Sequence, residues 1–90
     1  MVYASEADLL NMALFGKTAK EWREANPTAV GNMRDDASLI QLVVLSNLES
    51  INSVFIRQGL RQSERLLQLN QIAIKQIASL IANQQIKKLG

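Results

Sequence analysis

Two long runs with a 3.6-residue apolar period, about Ala37 to Gln58 and about Arg61 to Lys88, meet at Gly59, and little else in the chain is long enough to organise a core. Apolar residues at that period mark amphipathic helices. In the first run Val43, Val54, Ile40, Ile51, Val44, Phe55 and Leu48 fill one broad arc, and Leu45 and Ile56 form a second apolar strip. Glu49, Ser46, Ser50, Ser53 and Arg57 make its polar strip. A helix apolar over most of its circumference is touched by neighbours on two sides. The second run is simpler: Leu66, Leu69, Ala73, Ile74, Ile77, Leu80 and Ile81 make one stripe, with Arg65, Gln68, Lys75, Gln76 and Asn83 facing away. Gly59 breaks the first helix, and the two helices are expected to fold back on each other as an antiparallel hairpin.

The N-terminal third carries two shorter helices with clear punctuation. Ser5 is a good N-cap with Asp8 three residues on, and Gly16 closes that helix. Thr18 followed by Glu21 forms a capping box, and Asn26-Pro27 ends the second helix. Residues 26–36, with Pro27, Gly31 and two aspartates, read as the one long loop, and Asp35 or Asp36 is expected to cap the third helix. The expected fold is all-α, a single domain over residues 1–90. Two short helices, about 5–15 and 18–25, pack on a long antiparallel hairpin of about 37–58 and 61–88.

Two asparagines interrupt the apolar stripes. Asn47 is twelve residues before Gly59 and Asn70 eleven after it, so an antiparallel hairpin is expected to bring them to one level. A buried unpaired amide costs roughly 1–3 kcal/mol, so each needs a partner: the other, backbone or a trapped water. One asparagine pair in a core can select register or partner, while a satisfied local contact is the plainer reading. The last helix is longer than the third, so its final turn overshoots the hairpin. Ile86 and Leu89 in that overshoot, together with Leu45 and Ile56, make the expected self-association surface. In the loop, Asn32, Arg34 and Asp35 are the candidate clasp for structure or partner, against the simpler view of a loop held by local hydrogen bonds.

Catalysis is disfavoured by what the chain lacks. There is no cysteine and no histidine, hence no disulfide, thiolate metal site, thiol nucleophile or imidazole base. The acids Glu6, Asp8, Glu21, Glu24, Asp35 and Asp36 fall in first turns, an exposed short helix and a cap, none in an apolar stretch of the kind acid–base pairs use. No loop has calcium-ligand spacing or a phosphate-binding glycine run. No enzyme, cofactor or metal is therefore expected. No unbroken apolar run exceeds four residues, as in Leu42 to Leu45, far short of the ~20 that cross a bilayer, and no signal peptide is visible. An intracellular, cytoplasmic protein without membrane contact is expected.

Charge is unevenly spread. Residues 1–36 carry −2, residues 37–64 balance, and residues 65–90 carry +4 from Arg65, Lys75, Lys87 and Lys88 with no acid. Such a tail can favour a nucleic-acid backbone, although bases also complement a helix C-terminus. Residues 5–25 have some look of a helix-turn-helix, with Lys17, Lys20 and Arg23, but the Ala13-to-Gly16 spacing is three and Glu21 and Glu24 would face the same phosphates. Trp22 reads as a core anchor.

Five ordered segments add a resemblance. YASEADLLNMALFG (Tyr3 to Gly16), KTAKEWREANP (Lys17 to Pro27), GNMRDDAS (Gly31 to Ser38), QLVVLSNLESIN (Gln41 to Asn52) and GLRQSERL (Gly59 to Leu66) resemble the region after the KilA-N DNA-binding domain of phage and transposon-related proteins, over roughly residues 3–78. Asp36 stands where that pattern has an aromatic, Lys17 where it has Met, and Arg61 where it has a capping Ser. The resemblance implies no catalytic residue. It implies an accessory domain, excised from the C-terminal part of a longer protein, whose DNA contact lies in an N-terminal domain absent from this chain. A homo-oligomer or a protein partner is then expected, with a small DNA-binding domain using segment 5–25 or the basic tail as the alternative.

Overall fold

The computed structural model describes residues 3, 5–29, 31, 33 and 37–89, and the side chains of these up to residue 82. Among the described residues there are four helices and no strand: α1 (Glu6–Phe15), α2 (Ala19–Ala25), α3 (Leu39–Arg57) and α4 (Gln62–Leu89). The all-α architecture and the long antiparallel hairpin are as the periodicity requires.

Local chemistry places the boundaries of the first three helices. The Ser5 hydroxyl accepts from the Asp8 N–H at 3.1 Å, and Gly16, at φ 74°, closes α1 with its N–H on the Met12 carbonyl. Thr18 and Glu21 make the reciprocal capping box of α2, and the Asn26 side chain donates to the Trp22 carbonyl at 2.8 Å where the helix stops before Pro27. The α3 cap differs from expectation: Ser38 holds that position, paired with Gln41 in a second capping box. A hydroxyl with Gln three residues on satisfies two orphan N–H groups at once, which an acid further upstream cannot do. Asp35 and Asp36 lie outside the described residues, as does the candidate clasp Asn32, Arg34 and Asp35.

The reversal is a Schellman turn. Gly59, at φ 80°, donates to the Ile56 carbonyl at 3.0 Å, and Leu60 donates to the Phe55 carbonyl at 3.1 Å. That geometry satisfies the last carbonyls of α3 and aims the chain back along it.

One core unites three helices. Leu9, Leu10 and Ala13 of α1, Val44, Leu45 and Leu48 of α3, and Leu69 and Ala73 of α4 form a single buried cluster. α1 lies against both members of the hairpin, running alongside the first half of α4. α2 joins more loosely: Trp22 is its one buried residue, lining a cleft with Leu14, Phe15, Met33, Ala37 and Gln41. This is the anchoring role expected of it.

The helix faces are phased differently from the sequence reading. Leu45, expected on a free strip, is 3% exposed and sits in the core, whereas Val43 and Val54 of the expected arc are exposed. α1 packs on the side of α3 that carries Leu45 and Asn52, so burial is rotated toward that side. On α4, Ile74 and Ile81 emerge from the expected stripe and Arg65 goes under. By length and composition alone α3 is long and apolar enough to cross a bilayer, a test that the core helix of a soluble protein also passes.

The molecule is open for its size. Its radius of gyration is 14.4 Å, against roughly 12 Å for a compact 90-residue domain. α4, about 42 Å long by its 1.5 Å rise, runs beyond α3, about 28 Å, which accounts for much of the excess. Replacing the fully buried Leu48 with Ala should lower the unfolding free energy by about 3 kcal/mol, whereas Leu39→Ala, at an exposed position, should change it by less than about 0.5 kcal/mol in urea titrations. Equal effects would contradict this core.

Candidate functional site

Two of the three buried polar residues among the described ones, Asn52 and Arg65, converge near the start of α1, the end of α3 and the start of α4. Glu6, in the first turn of α1, points one carboxylate oxygen to each hairpin helix. Oε1 accepts from Asn52 Nδ2 of α3 at 2.9 Å, and Oε2 accepts from Arg65 Nη2 of α4 at 3.0 Å. The Arg65 side chain is 7% exposed and that of Glu6 43%, so the pair is closed on the hairpin side and wet on the other. Next to it the Tyr3 N–H donates to Gln62 Oε1 at 2.9 Å, and Gln62 Nε2 returns a bond to the Tyr3 carbonyl at 3.3 Å. At the far end of α1, Asn70 Nδ2 donates to the Ala13 carbonyl at 2.9 Å, satisfying one of the acceptors that a helix terminus leaves free. α1 is thus tied at both ends to α4.

Three buried atoms have no protein partner among the described residues: Asn52 Oδ1, Arg65 Nε and Asn11 Oδ1. Two belong to the Glu6 clasp. The Glu6 carboxylate, accepting from both an arginine and an amide, ties α1 to both hairpin helices. No group of three or more potential metal ligands occurs among the described residues.

Glu6, Asn52 and Arg65 escaped the sequence reading, which placed Glu6 in a helix-dipole role and Arg65 on the outer face. The signal was present: Asn52 follows Leu48 by four residues and Arg65 precedes Leu69 by four, so both continue the most buried rows. The asparagines singled out instead do not meet. Asn47 is exposed and donates to Gln76 Oε1 at 3.1 Å, while Asn70 is half-buried and faces α1. The hairpin is not symmetric about Gly59, because Leu60 and Arg61 pass before α4 starts. Helical side chains also lean toward their own N-terminus, so Gln76 reaches back to the level of Asn47.

Large apolar side chains are left uncovered on both long helices. Leu67, Ile74 and Ile81 of α4 are 61%, 61% and 42% exposed, and Leu39, Leu42, Val43, Val54 and Ile56 of α3 are exposed as well. Ile56 therefore keeps its expected place at the surface, Leu45 does not, and the side chains of Ile86 and Leu89 lie outside the described residues. An open apolar groove lined by Met12, Leu66 and Leu67, with Ser63 and Asn70 also on its walls, runs between α1 and the exposed edge of α4. On α2, Arg23 is committed locally. Its guanidinium donates to the carbonyls of Ala29 and Gly31 and lies 5.4 Å from the Trp22 ring centre.

No protein-family model, curated protein or solved structure matches this chain.

The clasp makes a measurable demand. Arg65→Ala should cost roughly 2 kcal/mol of stability, reduced from a fully buried pair because Glu6 is partly solvated. A double-mutant cycle of Glu6→Ala with Arg65→Ala should return a coupling of about 1 kcal/mol, and strictly additive losses would show that the contact is incidental.

Proposed function

We propose that this chain is a non-catalytic helical association module, serving a phage- or transposon-related DNA-binding protein by pairing it with a copy of itself or with another protein. The observation that carries the reading is the apolar surface a single copy leaves bare. A 10.0 kDa globular monomer exposes roughly 5,200 Å², whereas this chain exposes 6126 Å². The excess is of the order of the ~800 Å² that one partner contributes to a standard protein interface. Large apolar side chains, which a soluble monomer usually exposes only singly, are exposed on both α3 and α4.

α3 could in principle meet lipid, given its hydropathy. Ser46, Asn47, Glu49, Ser50 and Ser53 along its outer surface and the buried Asn52 amide favour a protein partner, because a polar strip in hydrocarbon costs several kcal/mol. The link to DNA rests on the five ordered segments, and it places DNA contact in a neighbouring domain. The competing reading, direct DNA binding, loses two of its bases: Arg23 holds the loop after α2 and Arg65 is buried against Glu6. The cytoplasmic setting is part of the same proposal.

Sedimentation of the isolated chain together with duplex-DNA titration tests this. The reading predicts a mass above 10.0 kDa that grows with concentration, and no strongly salt-sensitive DNA binding. A monomer that binds duplex DNA with affinity falling about 40-fold between roughly 50 and 200 mM salt, as three phosphate contacts would give, would replace it with the DNA-binding alternative.

A further inference from the structure

The exposed apolar residues of α4 are not scattered. Leu67, Ile74 and Ile81 stand seven residues apart, twice over, and are the most exposed large apolar side chains of this helix among the described residues. A seven-residue repeat of Leu or Ile on one side of a 28-residue helix is the spacing at which a second helix packs alongside, with a slight left-handed wrap. The seam that binds α4 to α3 and α1 runs through Arg65, Leu69 and Ala73, on the other side of the helix, so the two rows serve different neighbours.

We propose that α4 pairs with α4 of a second copy of this chain, antiparallel, with Ile74 at the twofold axis. This deepens the association reading and rests on it. Pairing about Ile74 sets Leu67 of one copy against Ile81 of the other on both sides, and Ile74 against itself, so three residues make a closed, self-complementary row. The area argument supports one such partner: the surplus surface is about what one side of a dimer interface buries.

Direction follows from two further observations. The groove lined by Met12, Ser63, Leu66, Leu67 and Asn70 opens beside Leu67, where antiparallel pairing delivers the Ile81 side chain of the second copy. Parallel pairing would set groove against groove and leave both unfilled. Charge agrees. Lys87 and Lys88 close α4 in sequence, and antiparallel pairing sends the two copies' basic ends to opposite ends of the assembly, with the helix dipoles opposed. Leu67, Gln71, Ile74, Ala78 and Ile81, the outward row, carry no charge that either arrangement would have to bury.

The absence of cysteine makes the test direct, since any thiol introduced is unique. Three single variants of the full chain, Leu67→Cys, Ile74→Cys and Ile81→Cys, are oxidised with copper phenanthroline at a concentration where the wild type is dimeric by sedimentation, and helicity is checked by circular dichroism. All three positions are exposed, so the fold should be retained. The Ile74→Cys variant should form disulfide-linked dimer about tenfold faster than either other variant alone, because only thiols at the axis come within bridging distance of their own copy. An equimolar mixture of Leu67→Cys and Ile81→Cys should cross-link at about half the rate of Ile74→Cys alone, since half of its dimers are mixed. Equal cross-linking of all three single variants would show parallel pairing and overturn the proposal. No cross-linking in a chain that still sediments as a dimer would overturn it while leaving the association reading intact. A wild type that stays monomeric at every accessible concentration would overturn both.

Discussion

Leu9, Leu48 and Leu69, one from each of α1, α3 and α4, are fully buried in a single cluster, and the rest of the structure is arranged so that they can be. Burying a leucine side chain contributes about 1.5–3 kcal/mol, and a domain this small has few such residues. The Schellman turn at Gly59 brings α3 and α4 together, and α1 then closes one side of their seam. Its two polar ties, Glu6 to Asn52 and Arg65 at one end and Asn70 to the Ala13 carbonyl at the other, fix where along α4 it sits. Hydrophobic burial has no direction and would tolerate sliding by a turn. Paired hydrogen bonds would not.

The same arrangement explains why the surface is greasy. A two-helix hairpin has two broad sides, and α1 covers part of one. α2, held by Trp22 near the end of α1, adds little to the other. The apolar residues of α3 and α4 that point away from α1 are left with water unless something else packs on them. That is the physical content of the association reading, and it needs no chemistry at any site.

The elements were legible from sequence because their determinants are local. Ser5, Gly16, Thr18 with Glu21, Pro27 and Gly59 act within a few residues of themselves, and each ends or begins a helix where its type says it should. Which side of each helix is buried was less legible, because that depends on where α1 lands. α3 is apolar over so much of its circumference that the sequence puts Val43 in the core arc and Leu45 on the outer strip, and only the approach of α1 buries Leu45 instead. Arg65 reads as a surface base until a carboxylate from a helix nearly sixty residues away is seen to reach it. Counting from Gly59 sets Asn47 opposite Asn70, but that count ignores the offset of the turn and the lean of a long side chain. Ser38 is a less conspicuous cap than the two acids before it.

The central claim is that burial in one copy of this chain is incomplete and is finished by another. The most direct measurement is the midpoint of thermal unfolding over a roughly hundredfold range of protein concentration, because association that accompanies folding makes the midpoint depend on concentration. The account predicts a midpoint that climbs steadily as the protein is concentrated. A midpoint that stays constant across the range, with a sharp transition throughout, would show that α1, α3 and α4 already complete the core alone.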